Sequence, residues 1–412
     1  MGERGSIWHQ PGMAPLMAMT CAGFSGYALL LTVAPLWAVE GGASTAGSGL
    51  VNGVLLLATV LTQVLVPRAL LRFTWGPVLA CGLVLLGVPG VAMSLSDDLG
   101  VVLALSAVRG TGFGVLTVAG SAAVAALVGA ERRGEAIGAY GLAVAAPNLV
   151  LLPSGPWIAE HVGYGVVFAL SALPLVGVPA AVRLASVLRL DAPDLHPGAT
   201  DPHDPGPAPY RRLLPPMLLL LAVTLAGGAV ITFTPQMIES TSVAAGGLFV
   251  MGLSAALARW RIGAIADRHG PRRFLVPLVI LTGAGMALVA WSVAGPGDVR
   301  VGVFLAAMLV VGLCYGGLQN LTLLVSFSAV PRRHHNTASA VWNVGFDAGT
   351  ALGSVAVGVL AGLTSFATAF LVAGAIAVAT LPLAVRRPTV DATPARGADP
   401  VDGAGPRGPR RP

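Results

Sequence analysis

The chain has 412 residues, of which 55% are hydrophobic and only 10% charged, and its mean hydropathy is +0.81. A soluble domain cannot bury that much apolar surface, so lipid is the solvent for most of this chain. Its formal charge of +6 is spread as arginines between apolar stretches, without a basic face interleaved with aromatics, which excludes a nucleic-acid-binding protein.

A spanning helix needs about 20 apolar residues. By that measure the first half gives six segments, at 13–37, 46–66, 76–96, 99–128, 134–158 and 163–184. The second half gives six more, at 214–238, 243–266, 273–294, 299–330, 334–362 and 365–386. Between them 186–213 is rich in Pro and Asp and reads as a solvated linker, and the Gly/Pro/Arg-rich tail 388–412 reads as disordered. The expected domains are a six-helix bundle at 1–185 and a second at 214–387. The first segment is expected to be a retained helix, because its counterpart near 217–234 lies in the middle of the chain.

The two halves repeat. A shift of 200 residues brings Pro15 onto Pro215, Thr32 onto Thr232, Pro35 onto Pro235, Arg68 and Arg72 onto Arg268 and Arg272, and Gly112 onto Gly312. Duplication in a polytopic chain is a mark of secondary transporters, whose site lies between the repeats. Arg gathers on alternate turns (Arg68, Arg72, Arg132, Arg133, Arg183, Arg211, Arg259, Arg261, Arg268, Arg332, Arg333), while Glu40, Asp97, Asp98, Glu160 and Glu239 occupy the others. The positive-inside rule then puts the Arg side and both termini in the cytoplasm of a cell-membrane protein. Six being even, the repeats are parallel, related by an axis along the membrane normal.

No cofactor or metal is expected. Cys21, Cys81 and Cys314 sit inside apolar segments as small buried hydrophobes, no CxxC spacing occurs, and the seven histidines fall in loops or at segment ends. An intramembrane enzyme would need a catalytic cluster of His, Cys or paired carboxylates, and none is present.

Two ionisable residues lie deep in spans. Arg109, in the run Arg109-Gly110-Thr111-Gly112, is costly near the bilayer centre and marks a functional position. Asp347 lies about a dozen residues into segment 11, near mid-depth at ~1.5 Å per residue. A carboxyl group held away from water favours its protonated form, so Asp347 is the candidate proton carrier. Asn343, Asp347, Thr350 and Ser354 form one polar stripe, and Gly345, Gly349 and Gly353 form a small-residue face suited to close packing. Tyr315, Gln319 and Thr322 share a face of segment 10 with Asn320 beside it, while Asn52 and Gln63 lie on segment 2, Asn148 on segment 5 and Gln236 at the end of segment 7.

The turn after segment 8 reads Gly263, Asp267, Arg268, Gly270, Arg272 and Arg273, which resembles the cytoplasmic loop motif G-x-x-x-D-R-x-G-R-R of the major facilitator superfamily. On a direct 200-residue shift its first-half copy is degenerate, with Gln63 for the Gly, Pro67 for the Asp, and only Arg68 and Arg72 retained. The Arg109 run is similar to the helix-4 motif of drug/proton antiporters in that superfamily, and 343–353 is similar to helix 11 of its bacterial multidrug and metabolite exporters. The resemblance covers 13–387 and implies an all-α fold of 12 transmembrane helices in two parallel six-helix repeats. It implies proton-coupled efflux of a small amphipathic drug or metabolite. Asp347 and Arg109 would couple the proton, and Asn343, Tyr315, Gln319, Asn320, Thr350, Asn148 and Asn52 would contact substrate. Gly263, Asp267, Arg268, Gly270, Arg272, Arg273, Arg68 and Arg72 would gate. The expected partners are a small-molecule substrate, protons and membrane lipid, with the protein acting as a monomer. The alternative is a facilitator or symporter for a sugar or organic anion, with the central Arg holding the anion.

Overall fold

The computed structural model describes residues 10–128, 133–191, 210–295, 299–331 and 334–385. The central part of the expected linker, the tail, and Arg132, Arg332 and Arg333 lie outside the described residues. The described chain is helical without strands, and twelve of its helices are long and apolar enough to cross a membrane. In the first half these are α1 (Met13–Glu40), α2 (Thr45–Phe73), α3 (Trp75–Ala92), α4 (Leu99–Leu127) and α5 (Arg133–His161). The span α6 follows in three pieces, Tyr164–Leu170, Leu173–Val176 and Val178–Asp191. The second half holds α7 (Tyr210–Met237), α8 (Thr241–His269), α9 (Arg272–Ser292), α10 (Val301–Ser328) and α11 (His335–Leu363), then α12 (Phe366–Ala379 and Leu381–Val385). We call the end at which α1 and α7 begin proximal, and the end holding the α1–α2 and α7–α8 turns distal.

The helices outrun the apolar windows. The last piece of α6 reaches Asp191, into the expected linker, because Ala181, Leu184, Ala185 and Leu188 recur on one buried face of an amphipathic stretch that a hydropathy window discounts. Two cysteines also depart from expectation. Cys314 is buried, but Cys21 and Cys81 are exposed on the outside of the bundle. Where the surroundings are lipid, an apolar side chain gains nothing by facing inward.

The repeat is real but its register is not uniform. Helices α2 and α8 have 29 residues each, and their caps Ser44 and Ser240 accept from the backbone N–H groups of Gly47 and Val243. Both end on a left-handed residue, Thr74 at φ 63° and Gly270 at φ 80°. Ser240 lies 196 residues after Ser44, and Gly270 lies 196 after Thr74. The packing agrees. Gly110 and Gly114 of α4 sit on Leu55 and Thr59 of α2, as Gly312 and Gly316 of α10 sit on Met251 and Ala255 of α8. In α4–α5 and α10–α11 the interval is 202 instead, as between the helix starts Arg133 and His335. The 200-residue shift is therefore an average. One helical turn separates it from the true register of α2 and α8, so Leu71 and Arg72, not Pro67 and Arg68, correspond to Asp267 and Arg268. The mate of Gln63 is Arg259.

Lipid offers no hydrophobic drive for helix association, so close backbone approach and hydrogen bonds do that work. The innermost helices are α1 and α7, with 78% of each spanning window inside the bundle. The glycine face of α11 lies on α7: a methyl group at Gly349 would strike Thr224 and the Leu221 carbonyl, and one at Gly353 would strike the Leu225 carbonyl. Prolines supply the other fastening. Pro35 and Pro156 lack the N–H groups that would bond the carbonyls of Leu31 and Leu152 four residues earlier. Asn52 of α2 donates to the Leu31 carbonyl at 2.8 Å, and Thr32 of α1 donates to the Leu152 carbonyl at 3.1 Å.

Glycine contact predicts tolerance. Gly353→Leu will destabilise the protein by about 1–3 kcal/mol through overpacking, whereas Gly246→Ala, with open space around its Cβ position, will leave stability unchanged or raise it by up to ~1 kcal/mol through helix propensity. Thermal unfolding of the purified variants in one detergent reads the difference.

Candidate functional site

The two halves meet where α1 faces α7, α2 faces α11 and α5 faces α8. Toward the distal end the fit is tight. Gly49 and Gly53 of α2 lie against Ser354 and Val355 of α11, and Gly358 of α11 returns the contact to Thr45. Polar pairs cross the same seam. Ser48 Oγ donates to Gln236 Oε1 at 3.0 Å, Asn52 Nδ2 donates to Thr232 Oγ1 at 2.9 Å, and Thr232 shares a 2.8 Å hydrogen bond with Ser354. Asn52 Nδ2 is thus engaged twice, across the seam and to α1, while its Oδ1 has no partner among the described residues.

At mid-depth the seam holds its carboxylate. Asp347 is 5% exposed, and Gln63 Nε2 of α2 donates to its Oδ2 at 2.7 Å, with a second, longer bond to Thr117 of α4 at 3.3 Å. Asp347 of the polar stripe therefore meets α2 of the opposite half, while Thr350 and Ser354 of that stripe meet Gly228 and Thr232 of α7. Gln63, which the motif comparison treats as a degenerate loop residue, is the direct partner of the buried acid. Its polarity inside an apolar span is the signal in the sequence; its pairing is visible only in three dimensions.

Arg109 is fully buried in α4. Its Nη2 donates to the Gly26 carbonyl of α1 at 3.4 Å, while Nε and Nη1 have no partner among the described residues. Among the described residues no carboxylate neutralises it. Tyr27 of α1 lies within electrostatic range of Asp347, Tyr315 and Arg109. The Tyr27 ring stacks on Phe113 at 3.8 Å between centroids, and Phe24 packs edge-on against both. Nothing in the sequence analysis singles out Tyr27, because a tyrosine inside an aromatic cluster reads as packing.

The second half contributes an aromatic and amide wall. Tyr315 of α10 lies against Gly227 of α7, 6.2 Å from the Phe346 ring and beside Thr350, and Phe346 stacks on Trp342. Trp342 Nε1 donates to Thr322 Oγ1 at 3.1 Å. Gln319 is 1% exposed and lies beside the Tyr315 hydroxyl, although neither its nitrogen nor its oxygen meets a partner in standard hydrogen-bond geometry. Asn343 and Asn148 each donate through Nδ2 to a carbonyl of their own helix, that of Ser339 and of Val144, and the Thr350 hydroxyl donates to the Phe346 carbonyl. Asn320 donates to the Arg259 carbonyl at 2.6 Å, tying α10 to α8.

The loop motif sits apart from this centre. Gly263 and the backbone of Asp267 and Arg268 belong to the last turns of α8, Gly270 supplies the positive φ that ends the helix, and Arg272 and Arg273 open α9. The side chains of Asp267 and Arg268 lie outside the described residues. Arg68 and Arg72 are exposed, with Arg72 over the Phe73 ring at 5.4 Å. Among the described residues no group of three His, Cys, Asp or Glu is placed to hold a metal ion. A cavity of about 480 Å³ near the distal end, lined by Met237, Val293, Ser365 and Phe366 among others, holds no ionisable side chain and is separate from the centre.

The sequence profile described as Major Facilitator Superfamily matches residues 16–264 and 217–408. No curated protein matches the chain. Among solved structures, the fold is similar to a bacterial homolog of the human lysosomal transporter Spinster in an inward-facing, unoccupied conformation, at 14% identity and TM-score 0.66 over 93% of this chain and 96% of that one. It is also similar to a POT family transporter in complex with 5-aminolevulinic acid, at 14% identity and TM-score 0.73 over 93% of this chain and 97% of that one. At such identities the likeness is one of fold.

The distal seam yields a test. Asn52→Ala removes a bond across the seam and one to a proline-freed carbonyl. Weakening the seam by ~1 kcal/mol shifts the closed population roughly fivefold. With the three native cysteines replaced, a thiol reagent will label Val355→Cys about fivefold faster in the Asn52→Ala background, and an unchanged rate would show that these bonds do not hold the seam.

Proposed function

The chain belongs to the major facilitator superfamily, a family of multi-pass membrane transporters of the secondary kind that carry small molecules, and from that premise we propose that it exports an amphipathic drug or metabolite in exchange for protons. The half bearing α1–α6 and the half bearing α7–α12 would rock about the central residues, exposing them alternately at the two ends. The proximal end is cytoplasmic in this reading, on the Arg distribution along the turns, and the membrane is the cell membrane.

The observation that carries the proposal is the hydrogen bond from Gln63 to Asp347 across the seam. A charged carboxylate strengthens such a bond roughly twofold over a neutral acceptor. Deprotonated Asp347 would hold α2 against α11, and a proton on Asp347 would weaken that hold, so proton occupancy would bias the position of the halves. Tyr27 would carry the change in charge toward Arg109, whose two unpartnered nitrogens leave it free to exchange contacts. Tyr315, Gln319 and the Asn343 region would contact the substrate. The loop residues Asp267, Arg268, Arg272 and Arg273 would latch the proximal end.

Reconstituted vesicles loaded in turn with ethidium, rhodamine and carboxyfluorescein, under an imposed pH gradient, test the coupling. At least one dye will move with the gradient in a protonophore-sensitive way. Asp347→Asn will abolish that gradient-driven flux while leaving downhill exchange. Undiminished proton-driven transport by Asp347→Asn would remove the coupling assignment.

A further inference from the structure

The distribution of arginines along the sequence assigns Arg259 to the basic side of the membrane, but it stands ten residues before the end of α8 at His269, roughly 15 Å into the bundle at ~1.5 Å per residue. One side of α8 is fixed on α10: Gly312 and Gly316 seat on Met251 and Ala255, and Asn320 bonds the Arg259 carbonyl. The adjoining side faces the other half, since Gly252 lies against Leu149 of α5. Arg259 follows Gly252 by seven residues, two helical turns, and so shares its face. Its side chain is exposed although ringed by protein, and it lies within electrostatic range of Tyr315. That combination describes a residue on the wall of the cleft between the halves, not one facing lipid.

Pseudo-symmetry sharpens the point. In the first half Gln63 reaches across the seam to Asp347. The mate of Gln63 is Arg259, and in the register of α5 and α11 the mate of Asp347 is Ala145. Between Ala136 and Ala159, α5 contains no acidic residue. The second half thus sets a guanidinium on α8 where the first sets an amide on α2, and the position of α5 in the first half that answers Asp347 of the second carries a methyl group instead of a carboxylate. A cation at that depth without a carboxylate across from it is costly unless something anionic occupies the gap.

We propose that Arg259 is the anion-recognising residue of the central cleft, and that the transported molecule is an amphipathic organic anion. Its carboxylate, sulfonate or phosphate group meets the guanidinium beside Tyr315, and its apolar body lies along Phe346 and Trp342. The proposal rests on the reading of this cleft as the substrate site and names the class of substrate. It needs no proton coupling, so a binding measurement without a gradient separates it from the assignment of Asp347.

The test is thermal unfolding of the full-length protein in neutral-detergent micelles. The probes are 4-phenylbutyrate, naphthalene-2-sulfonate and phenyl phosphate, each beside an uncharged counterpart (4-phenylbutanol, 2-methylnaphthalene, phenol). At least one anion will stabilise the wild type more than its counterpart does. In Arg259→Gln that anion will bind about tenfold to a hundredfold more weakly, the span of one lost charge-assisted contact, while the response to the uncharged counterpart persists. Arg259→Lys, which keeps the charge, will retain the preference for anions even if Arg259→Gln proves too unstable to purify, and Asp347→Asn will keep anion binding while losing proton-driven flux. Silence of every anion with the wild type, or anion binding that survives Arg259→Gln or is lost in Arg259→Lys, overturns the proposal. So does abolition of probe binding in nanodiscs rich in phosphatidylglycerol, which would identify a lipid headgroup as the anion at Arg259.

Discussion

A helix bundle in lipid must satisfy its polar groups internally and gains nothing from apolar contact alone, and that constraint organises this protein from the backbone outward. Prolines inside α1 and α5 release carbonyls that no water can reach, and side chains from neighbouring helices bond them. Glycines on α4, α10 and α11 bring backbones together so that such bonds can form. The same logic reaches the carboxylate at mid-depth. Asp347 is tolerable because Gln63 of the other half bonds it, so the cost of burying a carboxylate is tied to whether the halves are together.

The centre is asymmetric although the scaffold is duplicated. The first half supplies Arg109, Tyr27 and Gln63, and the second supplies Asp347, Tyr315, Gln319 and Arg259. No direct ion pair links Arg109 to Asp347; Tyr27 lies within electrostatic range of both. A permanent buried ion pair would fasten the halves and resist rocking, since separating it leaves two bare charges. An acid held by an amide, and an arginine held by one long bond to a carbonyl, are contacts that change at moderate cost.

The distal seam shows how closure is built from modest parts. Ser48, Asn52, Thr232, Gln236 and Ser354 join α1, α2, α7 and α11 through neutral hydrogen bonds, each worth about 1 kcal/mol or less within a membrane. Several such bonds hold one arrangement firmly, yet no single one must be paid back in full when the seam opens. Two of the polar residues expected to touch substrate, Asn52 and Asn320, also tie helices together. Polarity inside a span marks importance without distinguishing glue from site.

The sequence by itself determined the solvent, the twelve spans, the duplication and the depth of Arg109 and Asp347, because each depends on local composition or on the cost of charge in lipid, which no tertiary arrangement can hide. It also determined that α11 has a packing face and a polar face, through helical spacing alone. Tertiary structure decided which residues oppose one another. A 200-residue shift aligns landmarks but misses the true register of α2 and α8 by a turn, since insertions between helices are invisible until caps and glycine contacts fix each pair. The bond of Gln63 to Asp347 and the nearness of Tyr27 to both charges are relations between residues distant in the chain, which periodicity within one helix does not specify.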